Sequence, residues 1–181
     1  YDALWNDRSV IVKVFSHKIS ASRHLKREWR GLKLLQARGL SSPEPLFTGQ
    51  TEDGQLAVVV EKNAGPSTVL DVFCKTADKH KRLDLLGLVC KELARQHNKG
   101  VLQKDLQLGN FLLGDDKVFA LDTGQMQFSS HEIARKRSIS QLASLACCLQ
   151  NSETESIARL CEEYFKARGW RFAKSDEALF R

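Results

Sequence analysis

The sequence predicts an α+β fold with two lobes, a small antiparallel sheet followed by a mainly helical part. Short β-branched runs separated by turn residues are concentrated in residues 1–62, which is the pattern of strands joined by tight turns. From residue 63 to residue 181, apolar residues recur mostly at helical spacing. Within that helical part, two short apolar runs flank a turn near residue 115. We therefore expect one lobe at 1–62 and a second at 63–181.

The overall composition is that of a soluble globular protein, at 42% hydrophobic and 28% charged residues in 181. No apolar run approaches the roughly 18 residues that a membrane-spanning helix needs. The formal net charge of +6 favours an anionic partner. The chain begins at Tyr1 without a secretory signal, so we expect a trimmed piece of a longer protein.

The cysteines are five, an odd number, and their spacing is not that of a zinc site. Several lie in apolar helical patterns, where a thiol behaves as a small buried hydrophobe. We expect reduced thiols and a cytoplasmic protein.

The first strand is predicted at Val10–Phe15, with Tyr1–Trp5 as its partner. Lys13 interrupts this apolar strand, and Val12 and Val14 share the face opposite to it. Simple alternation with a solvated face accounts for Lys13, and a functional role is the alternative.

The next element is a helix from an N-cap at Ser22 to Arg38, ended by Gly39. Its apolar stripe contains Leu25, Trp29, Leu32 and Leu35. Glu28 falls on the same side as this stripe. Because a buried carboxylate is costly without a positive partner, Glu28 predicts a pairing, either with Lys13 or with neighbouring arginines.

Between residues 40 and 100 the pattern predicts two more strands, at Leu46–Thr48 and Leu56–Val60. Two helices follow: a short one at Ser67–Phe73, capped by Ser67, and a long one at Arg82–Lys99, ended by Gly100. His97 lies on the apolar side of the long helix. It is more simply explained as a packing residue than as a ligand.

A loop and a hairpin follow, and they carry three oxygen-bearing side chains. Asp105 and Asn110 precede the strand Phe111–Leu113, and Asp122 follows the strand Val118–Leu121. A hairpin would bring both ends of the pair to one spot. Carboxylate and amide oxygens there suit a magnesium ion and phosphoryl transfer, although solvated turn residues are the simpler alternative.

The rest of the chain predicts a helix at Glu132–Leu149, a break at Asn151–Thr154 and an amphipathic helix at Ser156–Arg168. The basic run Arg135–Arg137 opens the first of these helices. It is either a solvated face or a site for an anionic acceptor.

The order Asp105-Leu-x-x-x-Asn110, two short strands and Asp122-x-Gly124 resembles the catalytic core of the protein-kinase-like fold. The resemblance implies that Asp105 is the catalytic base and that Asn110 and Asp122 bind magnesium. It also implies that Lys13 contacts the phosphates of ATP and is held by Glu28. Glu61, Lys62 and Asn63 then correspond to the hinge that binds adenine.

One branch of that fold is most similar, the lipopolysaccharide kinase family. The similarity lies in the short link from Asp122 to the basic cluster Arg135–Arg137, which leads into the sequence Leu-Ala-x-Leu. It also lies in the segment Lys26–Leu32 of the helix that carries Glu28, and in Asn110–Leu113 after the Asp105 loop. This resemblance implies ATP and magnesium as cofactors and a Kdo or heptose hydroxyl of an anionic lipopolysaccharide as acceptor. It also implies that the protein acts at the cytoplasmic face of the inner membrane and has no nucleic acid partner.

Two alternatives remain at this point. A non-catalytic pseudokinase is favoured by Gln103, which stands where such folds usually have histidine, and by the lack of a glycine-rich phosphate loop. An enzyme is favoured by the presence together of five residues that match the kinase-like pattern: Lys13, Glu28, Asp105, Asn110 and Asp122. A kinase acting on protein or on a small alcohol is the other alternative.

Overall fold

The first part of the chain forms a four-stranded antiparallel sheet with one helix. The strands are β1 (Asp2–Trp5), β2 (Arg8–Phe15), β3 (Pro45–Gln50) and β4 (Ala57–Lys62), in the order β1-β2-β4-β3. Helix α1 (Ala21–Ala37) connects β2 to β3. The structure is a computed structural model, and it describes residues 1–16, 20–147, 149, 154–173 and 176.

Strand β4 is central because β2 and β3 both pair with it, and Lys13 of β2 lies opposite Val59. Three of its four apolar residues, Ala57, Val59 and Val60, are buried, in keeping with the apolar run of the sequence. The strand extends two residues further than predicted and includes Glu61, whose side chain is fully buried.

Helix α1 begins after Ser20 rather than at the predicted cap Ser22, and Ser20 makes no side-chain capping bond. The local pattern does not separate these two serines, which flank Ala21. The helix ends as predicted, because Gly39 adopts a left-handed φ of +65°.

The helical part contains α2 (Val69–Lys75), α3 (Lys79–Asn98), α4 (Arg135–Ala146) and α5 (Thr154–Ala167). The cap of α2 is Thr68, whose hydroxyl accepts a hydrogen bond from Asp71 N at 3.1 Å. The predicted cap Ser67 is wrong by one residue, because residues 67–68 form strand β5 beside the hairpin.

Helix α3 starts three residues earlier than predicted. Asp78 caps it and accepts a hydrogen bond from His80 N at 2.9 Å. The polar and basic stretch Lys75–Lys81, which the sequence predicts to be a connector, is therefore helical at Lys79–Lys81. The break predicted at Asn151–Thr154 lies outside the described residues except for Thr154, where α5 begins.

The predicted hairpin is present as β7 (Phe111–Leu113) and β8 (Val118–Ala120). A second pairing, of β6 (Val101–Gln103) with β9 (Met126–Phe128), was not predicted. Strands of three residues are too short for alternation to identify them. This second pairing holds together the two chain segments that enter and leave the loop–hairpin unit.

The main core lies among α3, α4 and α5, with the hairpin against it. His97 is fully buried there, with Nδ1 2.5 Å from the Tyr164 hydroxyl and Nε2 2.9 Å from Gln141 Oε1. Burial lowers the His97 pKa to about 4. The described cysteines are free thiols. In the described part of the chain, no helix has the length and apolar character to cross a membrane.

Candidate active site

Lys13 and Glu28 are in direct contact. Lys13 Nζ lies 2.5 Å from Glu28 Oε1, and only 18% of the lysine side chain and 6% of the glutamate side chain are exposed. Strand β2 supplies the cation, and the first two turns of α1 supply the acid. Lys13 therefore does not lie on a freely solvated face, and Glu28 pairs with it rather than with the neighbouring arginines.

Glu61 is a second carboxylate beside Lys13. Its Oε1 lies 3.1 Å from Lys13 Nζ, yet neither carboxylate oxygen has a hydrogen-bond partner among the described residues, so the contact is an ion pair without good hydrogen-bond alignment. Burial raises the Glu61 pKa, and Lys13 opposes this shift. Burial would lower the Lys13 pKa, but Glu28, Glu61 and Asp122 together raise it.

Asp122 approaches the same lysine from the other half of the site. Its Oδ1 is 4.0 Å from Lys13 Nζ, and the side chain is half-exposed. The residue has a left-handed φ of +51°, a conformation that aspartate tolerates better than most residues do. Burial raises the Asp122 pKa, Lys13 lowers it, and Glu28 and Asp105 raise it further.

Glu28 also joins helix α1 to the turn that follows Asp122. Its Oε2 accepts a hydrogen bond from Gly124 N at 2.7 Å, and its backbone carbonyl accepts one from Thr123 Oγ1 at 3.0 Å. Gly31 permits the close approach, since a Cβ there would lie 2.5 Å from the Thr123 carbonyl oxygen. Sequence reasoning missed Gly31, although a glycine inside a helix is a signal of close packing.

Asn110 is tied to the loop that carries Asp105. Asn110 Nδ2 donates to the Asp105 carbonyl oxygen at 2.7 Å, and Leu121 N donates to the Asn110 carbonyl at 2.9 Å. The Asp105 carboxylate is exposed and accepts from Gln107 Nε2 at 3.2 Å. The hairpin thus fixes Asn110 between the Asp105 loop and the start of the Asp122 turn.

These residues fit a magnesium ion only as part of its ligand set. Among the described residues, no group of three His, Cys, Asp or Glu side chains could hold a metal. Asp122 offers a carboxylate, and Asn110 offers an amide oxygen, since its nitrogen is already used. Magnesium prefers one or two such ligands together with phosphate oxygens and water, so the donor set suits a metal that arrives with a nucleotide.

The three residues assigned to the hinge are at the end of β4, where the sheet meets the helical part. Lys62 N donates to the Glu44 carbonyl at 2.8 Å, and Asn63 N donates to the Ser9 carbonyl at 3.0 Å. These two amide hydrogens are already bonded within the chain. The Glu61 side chain faces Lys13 instead. Adenine binding by this segment stays a prediction.

Gln103 occupies a structural position behind the loop. Its side chain is buried and donates to Gln96 Oε1 at 2.8 Å, and Gln96 in turn donates to Glu92 Oε1 at 3.3 Å. Gln141 donates to the Gln103 backbone carbonyl. The residue in the usual histidine position therefore anchors the loop to the helical core, and the Asp105 carboxylate is left exposed.

The basic run at the start of α4 is partly structural. Arg135 forms an ion pair of 2.6 Å with Asp176 and lies 4.8 Å over the Trp170 ring. Arg137 donates to Gln127 Oε1 at 2.8 Å. Arg135 therefore holds the segment after α5 in place and is not available as a free acceptor site.

Sequence comparisons leave the family open, since neither a family model nor a curated protein matches the chain. Solved structures do match. The PK-1 kinase of Cydia pomonella granulovirus superposes with a TM-score of 0.50 at 13% identity, over 67% of this chain and 44% of that one. The chain has a protein-kinase-like fold. It spans less than half the length of that kinase, and at this identity the similarity concerns the fold alone.

Proposed function

We propose that this chain belongs to an ATP-dependent phosphotransferase of the lipopolysaccharide kinase type, acting on a Kdo or heptose hydroxyl. The observation that carries the proposal is the contact chain from Lys13 through Glu28 to Gly124, which places Asp122 4.0 Å from the lysine. Strand, helix and turn thereby bring the Lys13 ammonium group and the Asp122 carboxylate close together, and Asn110 links the Asp105 loop to Leu121, the residue before Asp122. The protein-kinase-like fold supports the same reading.

Each residue has a role in this proposal. Lys13, positioned by Glu28, neutralises phosphate charge of the nucleotide. Asn110 and Asp122 hold magnesium, which supplies charge neutralisation to the transferring phosphoryl group. The exposed Asp105 carboxylate orients the acceptor hydroxyl and takes its proton as the new phosphorus–oxygen bond forms and the bond to the ADP oxygen breaks.

The proposal also specifies the acceptor and the cellular location of the reaction. The net charge of +6 suits an anionic lipopolysaccharide and peripheral contact with the cytoplasmic face of the inner membrane. No nucleic acid partner is proposed.

A non-catalytic scaffold is the second candidate, and one observation favours it. Lys13 already faces two buried carboxylates, Glu28 and Glu61, so its charge is largely neutralised before any phosphate arrives. Such a lysine would bind a nucleotide weakly unless Glu61 takes up a proton, which its raised pKa makes easier.

The test is transfer of labelled γ-phosphate from ATP to purified lipid A–core with magnesium, together with calorimetric measurement of ATP binding. Asp105→Asn should reduce transfer by roughly 10² to 10⁴ fold and leave ATP binding intact, as loss of a general base predicts. Asp122→Asn should remove the magnesium dependence of ATP binding. Asp116→Asn, an exposed acid in the hairpin turn, is the matched control.

Undiminished transfer by Asp105→Asn would refute its role. ATP binding without transfer to lipid A–core would redirect the search to a protein or a small alcohol. Absence of ATP binding by the wild-type chain would favour the scaffold.

A further inference from the structure

The Glu61 carboxylate lies inside the candidate active site and has no part in the transfer steps proposed above. In the pairing of β2 with β4, Glu61 lies opposite Ile11, and Val59 lies opposite Lys13. Because side chains alternate along a strand, Glu61 and Val59 share one face of the sheet, and Lys13 is on that same face. Glu61 has no exposed surface, so its carboxylate stays within reach of the lysine.

One ammonium group faces three carboxylates at this point. Lys13 Nζ lies 2.5 Å from Glu28 Oε1 and 3.1 Å from Glu61 Oε1. Asp122 Oδ1 is 4.0 Å from the same nitrogen. The acids come from α1, from β4 and from the turn after β8, and no other described cation pairs with them. With one positive and three negative charges, the cluster has a formal net charge of −2 when every acid is ionised. Nucleotide phosphates would add negative charge at the same lysine.

Of the three acids, Glu61 loses its charge at the least cost. Both oxygens of Glu28 accept hydrogen bonds, which stabilise the ionised form. Asp122 is half-exposed to water, and its proposed role as a magnesium ligand requires a carboxylate. Neither oxygen of the fully buried Glu61 accepts a hydrogen bond from a described residue. Burial raises the Glu61 pKa, Lys13 opposes this shift, and the two other acids add to it.

We propose that binding of a nucleotide phosphate at Lys13 is coupled to the uptake of one proton by Glu61. The proposal rests on the nucleotide site of the phosphotransferase function proposed above. The proton comes from solvent and forms an O–H bond on one Glu61 oxygen, so the carboxylate becomes a neutral carboxyl group and no other bond changes. Lys13 then faces one negative charge fewer and neutralises the phosphate more fully.

The coupling makes the affinity for the nucleotide depend on pH. A ligand that binds the protonated form more tightly also strengthens proton binding by the same factor. Glu61 is therefore a regulatory residue, which competes with phosphate for Lys13 when it is ionised and releases the lysine when it is neutral. We expect the coupling to change the dissociation constant of ATP about tenfold, within the usual range for two coupled sites. The effect should appear in the KM for ATP and not in turnover at saturating ATP.

The first experiment counts protons by calorimetry. The whole chain is titrated with ATP and saturating magnesium at several pH values between 5.5 and 8, in two buffers of different ionisation enthalpy. The difference in binding heat between the buffers gives the number of protons taken up. Because phosphate oxygens of ATP also titrate in this range, the comparison is between wild type and Glu61→Gln. We expect wild type to take up more protons, by at most about one per ATP. Equal uptake by the two proteins would overturn the proposal.

The second readout is the pH dependence of the affinity. From pH 6 to pH 8, the dissociation constant of ATP should increase by a factor about ten times larger in wild type than in Glu61→Gln. The matched control is Glu92→Gln, which removes another buried carboxylate whose pKa is raised by burial and whose partners are Arg95 and Gln96. The control should follow wild type. An equal change in the two variants would overturn the assignment to Glu61.

The same proton can be followed in wild type without any substitution. Glutamate carboxyl carbons are labelled with ¹³C, and the NMR titration of the Glu61 signal is recorded with and without ATP. We expect its midpoint to move to higher pH when ATP is bound. An unchanged midpoint would overturn the proposal.

The outcomes separate this inference from the proposed function. Transfer to lipid A–core together with equal proton uptake by wild type and Glu61→Gln would leave the phosphotransferase intact and overturn the role of Glu61. ATP binding that appears only at acidic pH or in Glu61→Gln, without transfer, would support the coupling and count against the phosphotransferase. Absence of ATP binding by both proteins at every pH would overturn both proposals.

Discussion

Two carboxylates contact Lys13, and the structure predicts that only one of them stabilises the fold. Glu28 accepts hydrogen bonds from Lys13 at 2.5 Å and from Gly124 at 2.7 Å. Glu61 lies 3.1 Å from the same lysine but accepts no hydrogen bond from the described residues. The variants Glu28→Gln and Glu61→Gln keep side-chain size and remove one negative charge each, so they separate these two situations.

The expected magnitudes differ clearly. A hydrogen bond to a charged group contributes about 1.5–3 kcal/mol, and glutamine retains one acceptor for two donors, so Glu28→Gln should lower the free energy of unfolding by about 2–4 kcal/mol. Glu61→Gln removes an ion pair and also the desolvation cost of a fully buried carboxylate. Since these two contributions largely cancel, its effect should stay within about 1 kcal/mol.

The pH dependence gives the comparison a second readout. The Glu61 pKa is raised by burial, so the folded protein holds this proton more tightly than the unfolded chain does. The corresponding stability is fully present below the unfolded pKa and is lost as the pH rises through the folded pKa. The free energy of unfolding of Glu61→Gln should therefore increase relative to that of wild type as the pH is raised.

The assay is urea denaturation of wild type and both variants, followed by far-UV circular dichroism at several pH values with ionic strength held constant. The change in midpoint at unchanged slope gives the difference in stability. A loss in Glu61→Gln as large as that in Glu28→Gln would refute the reasoning, because it would mean that Glu61 is an equal partner of Lys13.

Two further predictions concern the helical part. Burial lowers the pKa of His97 to about 4, against an ordinary value of 6.5. Between pH 7.5 and pH 4, the free energy of unfolding of wild type should therefore fall by about 3 kcal/mol more than that of His97→Gln, as measured in the same urea assay. A parallel pH dependence of the two proteins would contradict this. Gly100 has a φ of +71°, and a Cβ there would lie 2.5 Å from two backbone oxygens, whereas Gly39 at +65° has open space around it. In thermal unfolding, Gly100→Ala should therefore lose clearly more stability than the roughly 1–2 kcal/mol expected of Gly39→Ala. Equal losses would show that the close contacts are relieved without cost.

The sequence predicted the parts of the fold that depend on local pattern. Strand β2, helix α1 and the hairpin β7–β8 follow from alternation, helical spacing and a turn signal. Lys13 and Glu28 were recognisable because each is a charge on an apolar element, and an isolated charge of this kind requires a partner.

The remainder depends on contacts between distant segments, which no local pattern records. Pairing of β6 with β9 involves three residues on each side. Burial of Glu61 beside Lys13 follows from strand register, and its sequence position at the end of β4 resembles that of an ordinary exposed terminus. Arg27, Arg30 and Lys104 line one pocket, although in the sequence each of them looks like a solvated surface charge.

The contact between Glu28 and Gly124 also has a consequence for the order of folding. It joins residues 96 apart in sequence, whereas the Leu121–Asn110 bond closes only the short hairpin segment. Closing the longer loop costs about 2 kcal/mol more in chain entropy. We therefore expect the hairpin with Asn110 to form early and the union of α1 with the Asp122 turn to come late. Local opening would separate Lys13 from Asp122 first, while the α3–α5 core stays intact.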